Sequence, residues 1–176
     1  RLLKLLPYFF ESPSSALVEI AQNAQRAGAT RLDITLNDHH LEARDNGKGT
    51  KNIEPVLTLA DSNWDPEVEE MQNPAGWGLF FVLCISEKVC FSSGFGTIEV
   101  ESDRFLNDAA YRNNIFSAVD RGNKTKGFRV SAVLKTDIDA ATLIDKKCLM
   151  FFPFDITVNG KQVQRMTAES IFGDYI

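Results

Sequence analysis

A chain of 176 residues with 44% apolar and 24% charged side chains, 13 of them Phe, has the composition of a folded globular domain and excludes a disordered or fibrous one. Folding at this length hides about 70% of the surface the extended chain exposes, so a full core needs no metal or disulfide staple. A formal net charge of -5 without any Lys/Arg run argues against independent nucleic-acid binding, because phosphate contacts demand concentrated positive charge. Nucleic acid is expected only through domains or partners outside this chain.

Cys84, Cys90 and Cys148 show no C-x-x-C spacing and read as reduced core residues of a cytoplasmic protein, not as a zinc site. The longest apolar run, residues 79–85, is far short of the ~20 residues that span a bilayer, and no signal peptide is recognisable. No membrane partner is expected. The first residue is Arg1, not Met, which leads us to expect a piece of something longer.

Residues 1–11 are apolar, interrupted by Pro7, and read as an arm docked on the body. Ser12-Pro13 has the form of an N-cap followed by Pro at the first helical position. Beyond it Leu17, Ile20, Ala21, Ala24 and Gly28 follow the spacing of a buried helical stripe, with Glu19, Asn23 and Arg26 on the opposite side and Gly28 as terminator. Residues 31–37 and 40–45 alternate as two strands about a polar turn at Asn37-Asp38-His39.

Residues 53–60 predict a short helix, and the polar, acidic stretch 61–75 a long loop. Gly76-Trp77-Gly78 then opens an apolar helix over 79–88, followed by strands at 89–92 and 97–101 about a Gly94-Phe95-Gly96 turn. Further strands are expected at 115–119 and 128–135, and Asn159-Gly160 marks a tight hairpin within 156–163. This order predicts an α+β fold, a mixed, mostly antiparallel sheet covered on one face by helices.

Three polar pieces stand out. Glu19 and Asn23 lie one helical turn apart and form either a solvated face or one wall of a cleft. Asp45-Asn46-Gly47-Lys48-Gly49 is either a plain strand-ending turn or a binding loop. Gly76-x-Gly78 at a helix start offers free backbone N–H groups of the kind that bind phosphate. His39 and His40 fall on a turn and read as solvated.

In this order and spacing the three pieces resemble the GHKL superfamily of ATPases (gyrase, heat-shock-90 chaperones, histidine kinases and MutL), whose members share the Bergerat ATP-binding fold, a two-layer α/β sandwich. Leu17-Val18-Glu19 through Asn23, Ala27-Gly28-Ala29-Thr30-Arg31-Leu32-Asp33-Ile34 and the Asp45 to Gly49 loop are nearest to MutL-type and topoisomerase-VI-B-type hydrolases. Gly76-Trp77-Gly78-Leu79 is more similar to the kinase version. Lys126-Gly127-Phe128-Arg129-Val130 resembles the strand that closes such sites. The resemblance covers residues 12–135, leaving 136–176 as an extension packed on the same domain or as the start of a further one.

The resemblance implies ATP and Mg²⁺ as ligands. Asp45 would accept a hydrogen bond from the adenine amine, Gly47 and Gly49 would let the backbone approach the base, and Ala27 would pack near it. Asn23 would ligate Mg²⁺. Glu19 would polarise the attacking water, a general-base role typically giving 10²- to 10⁴-fold in rate. Gly76, Trp77, Gly78 and Leu79 would line the phosphate site, with residues 61–75 as a lid.

Slow hydrolysis, ATP/ADP exchange and ATP-dependent homodimerisation would follow, making the domain a conformational switch of a larger protein. The alternatives are an interaction module that binds nucleotide without catalysis, and a histidine or anti-sigma-factor type kinase, against which Glu19 counts. The chain departs from the family at Arg26, where hydrolases carry Asp, at Phe128, where a Thr is common, and in its shorter glycine motif. Lys135 is a default candidate for the phosphate-facing lysine.

Overall fold

The computed structural model describes residues 14–57, 78–137 and 148–166. Helix α1 (Ser14–Arg26) is followed by strands β1 (Arg31–Asn37) and β2 (His40–Asp45), a one-turn helix α2 (Glu54–Leu57), and helix α3 (Gly78–Ile85). Strands β3 (Ser86–Ser93) and β4 (Gly96–Glu101) form a hairpin, and two short helices, α4 (Ser102–Asn107) and α5 (Ala109–Asn114), come next. A 3-10 turn, Ile115–Ala118, leads towards β5 (Arg129–Leu134), and β6 (Asp155–Val158) and β7 (Lys161–Gln162) close the described chain. None of the described helices is long and apolar enough to cross a membrane.

The strands form one seven-stranded sheet in the order β4-β3-β5-β2-β1-β6-β7. Every pairing is antiparallel except β1 with β6, so the fold is α+β with a mostly antiparallel open sheet, as the element order predicts. Strict alternation explains its layering. Leu32, Ile34 and Leu36 of β1, Leu41 and Ala43 of β2, and Val130, Ala132 and Leu134 of β5 are buried together with the apolar stripe of α1.

The other face of the sheet carries polar pairs. Arg129 pairs with Glu42 at 2.8 Å and Lys88 with Glu99 at 2.9 Å, and Asp33 accepts hydrogen bonds from Arg31 and Thr157. These pairs are substantially exposed, so each contributes at most about 1 kcal/mol. They keep this face wet rather than hold the sheet together.

Along α1, Leu17, Ile20, Ala21 and Ala24 are buried as the spacing predicts, and Ala16 joins them. Gly28 does not join the stripe; it is exposed and lies just past the helix. The hairpin of β1 and β2 has its expected limits, with Asn37 opposite His40 and Asp38 at φ 47°. On that exposed turn His39 Nδ1 lies 3.3 Å from Asp137.

Two expectations fail for identifiable reasons. The helix over 79–88 ends at Ile85, and the strand begins at Ser86 instead of residue 89, because Ser86 and Lys88 pair with Leu134 and Val133 across a bulge. Sheet pairing there overrides the helical preference of Glu87 and Lys88. Where a strand is expected at 115–119 the chain instead forms the 3-10 turn Ile115–Ala118, which continues helix α5. Asp108 starts that helix, its Oδ1 accepting the N–H groups of Ala110 (2.9 Å) and Tyr111 (3.1 Å), and Ile115 is the buried anchor of the turn that follows.

Cys84 and Cys90 are half-buried free thiols whose pKa values burial pushes up. The expected arm at 1–11, the start of α1 at Ser12-Pro13, the lid at 61–75 and the Gly76-Trp77 pair lie outside the described residues.

Candidate functional site

The end of α1 and the loop after β2 are built as one unit. The helix stops at Gly28, whose φ of +68° suits a residue without Cβ. The N–H groups of Gly28 and Ala29 then close on the carbonyls of Gln25 and Ala24, both at 2.9 Å. The Ala27 carbonyl, left over at the helix end, accepts the Lys48 N–H at 3.0 Å. A Cβ on Gly47 would sit 2.8 Å from the Ala27 Cβ and 3.0 Å from Asp45 Oδ1, so only glycine lets the loop rest against the helix here.

Asn46 ties the same loop to the start of β1. Its Oδ1 accepts the backbone N–H groups of Thr30 (2.9 Å) and Arg31 (3.0 Å), and its Nδ2 donates to Thr30 Oγ1 at 2.8 Å. The sequence reading missed this residue, although an Asn between Asp and Gly in a turn is a recognisable bracing signal.

Asp45, the last residue of β2, is buried, with 7% of its surface exposed. Its Oδ1 accepts the Gly47 N–H at 2.7 Å. Burial raises the carboxyl pKa above its ordinary value, while the backbone N–H groups of Gly47 and Phe128 pull it back down. A carboxylate has about four acceptor positions, so two backbone donors leave it able to accept from a ligand as well.

The Gly127-Phe128 segment closes this corner. Phe128 accepts the Asp45 N–H at 3.0 Å through its carbonyl and packs its ring against Phe91, centroids 6.2 Å apart. Ser93, fully buried, donates to the Gly127 carbonyl at 2.6 Å and accepts the Thr50 N–H at 2.9 Å. Gly49 lies against both partners of that first bond, since a Cβ on it would meet the Gly127 carbonyl oxygen at 2.5 Å and Ser93 Oγ at 2.6 Å. Protein packing therefore accounts for Gly47 and Gly49 on its own. Replacing Ser93 with Ala strands a buried donor and acceptor, so we expect a loss of about 1 to 3 kcal/mol in urea unfolding.

Glu19, Asn23 and Arg26 follow one another at helical spacing on α1, and none is fully solvated. Arg26 Nη1 donates to Asn23 Oδ1 at 3.2 Å. Burial raises the Glu19 pKa and lowers that of Arg26, and the opposite charges of the two residues act against both shifts. The three form a half-buried polar row with a carboxylate at one end and a guanidinium at the other.

Ala27, Asp45, Gly47, Gly49 and Phe128 thus meet at one corner, with Glu19 and Asn23 on the helix that leads into it. Leu79 packs against the hydrophobic core from the first turn of α3, which Gly78 begins. Lys135 is not brought to this corner. It follows the opposite end of β5 from Gly127, where its Nζ donates to Asp103 at 2.9 Å and to the Cys84 carbonyl at 3.3 Å. A separate shallow groove, lined by Gln25, Thr30, Phe154 and Arg165 among others, contains none of Glu19, Asn23 and Asp45. No family model matches the chain, and a search of curated proteins finds no match either.

Proposed function

We propose that the chain is an ATP-binding domain of the GHKL superfamily with the Bergerat fold, in which bound ATP is slowly hydrolysed and drives a conformational switch. The observation that carries the reading is Asp45: a buried carboxylate at a strand end, braced by the Gly47 N–H, in a loop seated on the helix that bears Glu19 and Asn23. The strand and helix order and the mostly antiparallel sheet support the same fold.

Asp45 is the group that would take adenine. A braced, desolvated acceptor of this kind binds an exocyclic amine and disfavours a carbonyl oxygen, which would select adenine over guanine. ATP supplies the phosphoanhydride, and the chain's own part is to orient it and to hold a water beside Glu19. Partial burial raises the Glu19 carboxyl pKa from its ordinary value, the direction a general base needs, and the Arg26 charge acts against the shift.

Mg²⁺ would be held by the Asn23 side-chain oxygen, which accepts one hydrogen bond from Arg26 at 3.2 Å and keeps a second acceptor position, with phosphate oxygens and water as its other ligands.

Phosphate release should fall about 10²- to 10⁴-fold in Glu19→Gln, with ATP affinity within about threefold of wild type. Equal turnover in the two proteins would remove Glu19 from the chemistry. The Arg26 contact on Asn23 favours a second reading, an interaction module that binds nucleotide without catalysis. Calorimetric binding of ATP with no phosphate release from the wild type would select it.

A further inference from the structure

We infer that Asn159 is a deamidation site, protected while β6 is docked on β1 and converted when β6 comes away, and that the acidic product weakens that docking. In an Asn-Gly pair the glycine has no Cβ to shield its backbone nitrogen from the asparagine amide. The Gly160 nitrogen, its proton lost to hydroxide, bonds to Asn159 Cγ, and the bond to Nδ2 breaks as ammonia leaves. Water then opens the cyclic imide at either carbonyl, giving aspartate or isoaspartate. The sum is one water taken up and one ammonia released, with nothing oxidised or reduced.

The chain has two such pairs, Asn46-Gly47 and Asn159-Gly160, and the fold holds them differently. Gly47 is buried and its N–H is taken by Asp45 Oδ1 at 2.7 Å, while the Asn46 side chain is tied to Thr30 and Arg31. Gly160 is exposed, has nothing within 4 Å of where a Cβ would stand, and donates its N–H to no acceptor among the described residues. What guards Asn159 is its own side chain. Its Oδ1 accepts the Leu36 N–H at 2.7 Å and its Nδ2 donates to the Leu36 carbonyl at 3.0 Å, so the amide is held on β1 and kept from swinging onto the Gly160 nitrogen. On the outer side β7 adds only the pairs Thr157 with Gln162 and Val158 with Lys161, so this edge hairpin opens with few bonds broken.

The same contacts set the consequence. Past the last parallel rung, Ile34 with Val158, the Asn159 amide stands in for a further rung, accepting from and donating to one residue as a peptide group would. A carboxylate can accept but cannot donate. Conversion therefore leaves the Leu36 carbonyl without its donor and facing a negative charge, and isoaspartate also adds a main-chain carbon to the turn.

The test is peptide mass spectrometry of the wild type held at mildly alkaline pH across a urea series, reading the mass gain at Asn46 and Asn159 separately, with unfolding followed by circular dichroism. Asn159 should begin to convert at urea concentrations below the unfolding transition, at least about tenfold faster than Asn46 there, and both should convert once the chain is unfolded. Onset of both together at the transition, or of Asn46 first, overturns the gating by β6. Conversion of Asn159 as fast in buffer as in unfolding urea overturns its protection. Asn159→Asp should lower the thermal midpoint by at least about 2 °C, and a midpoint equal to wild type overturns the effect on docking.

Discussion

Gly127→Ala should cost at least about 3 kcal/mol and lower the thermal midpoint by roughly 6 to 12 °C, the range for a chain of this size. Two effects add. Gly127 has φ +75°, which costs a residue with Cβ about 1 to 2 kcal/mol. A Cβ there would also overlap the Asp45 carbonyl oxygen and crowd Asn46 Cα at 3.2 Å, both backbone groups that move only if the strand end moves. Gly160 supplies the control, because it shares the φ of +75° but has nothing within 4 Å of where its Cβ would stand. Gly160→Ala should show only the conformational part, and differential scanning calorimetry of the two variants isolates the clash. Equal midpoints for the two would mean that the corner at Asp45 yields easily.

Asp45→Asn should weaken ATP binding at least about tenfold in calorimetry while leaving the protein as stable as wild type or slightly more so at neutral pH. The reasoning on stability follows from the sign of the pKa shift. The Asp45 carboxyl is raised in the fold, chiefly by burial, so the native chain holds that proton more tightly than the unfolded chain does. Stability attributable to this group is greatest at low pH and declines as pH rises from the unfolded to the folded pKa. At neutral pH the buried charge is a cost that the neutral amide lacks, and Asn can still accept the Gly47 N–H. Unchanged ATP affinity in a folded Asp45→Asn protein would remove Asp45 from the site.

The reach of the sequence differed between parts of the chain, for physical reasons. β1 and β2 were legible to the residue because their burial alternates without interruption between one apolar and one wet face. Ser86–Ser93 was not, since its first residues carry helical preferences and are strand only through pairing with β5, which no local pattern encodes. The corner itself was legible in type: Asp45, Gly47 and Ala27 are brought together. The reason for the glycines was not. Gly47 and Gly49 are set by Ala27, Ser93 and Gly127, and the last two lie 43 residues or more along the chain from either glycine's loop. The Arg26 contact on Asn23 needed only helical spacing, and could have been read from the sequence.

The parallel pairing of β1 with β6 joins residues more than 120 positions apart, and Asn159 locks it, accepting the Leu36 N–H at 2.7 Å and donating to the Leu36 carbonyl at 3.0 Å. Closing so long a loop carries a large entropic cost before any contact repays it. The hairpins β1–β2 and β3–β4 therefore have the local contacts that form early, and docking of β6 sets the slow step of folding. Until it docks, one side of β1 presents unpaired N–H and C=O groups to other chains, and that intermediate is the state in which self-association during refolding should be greatest.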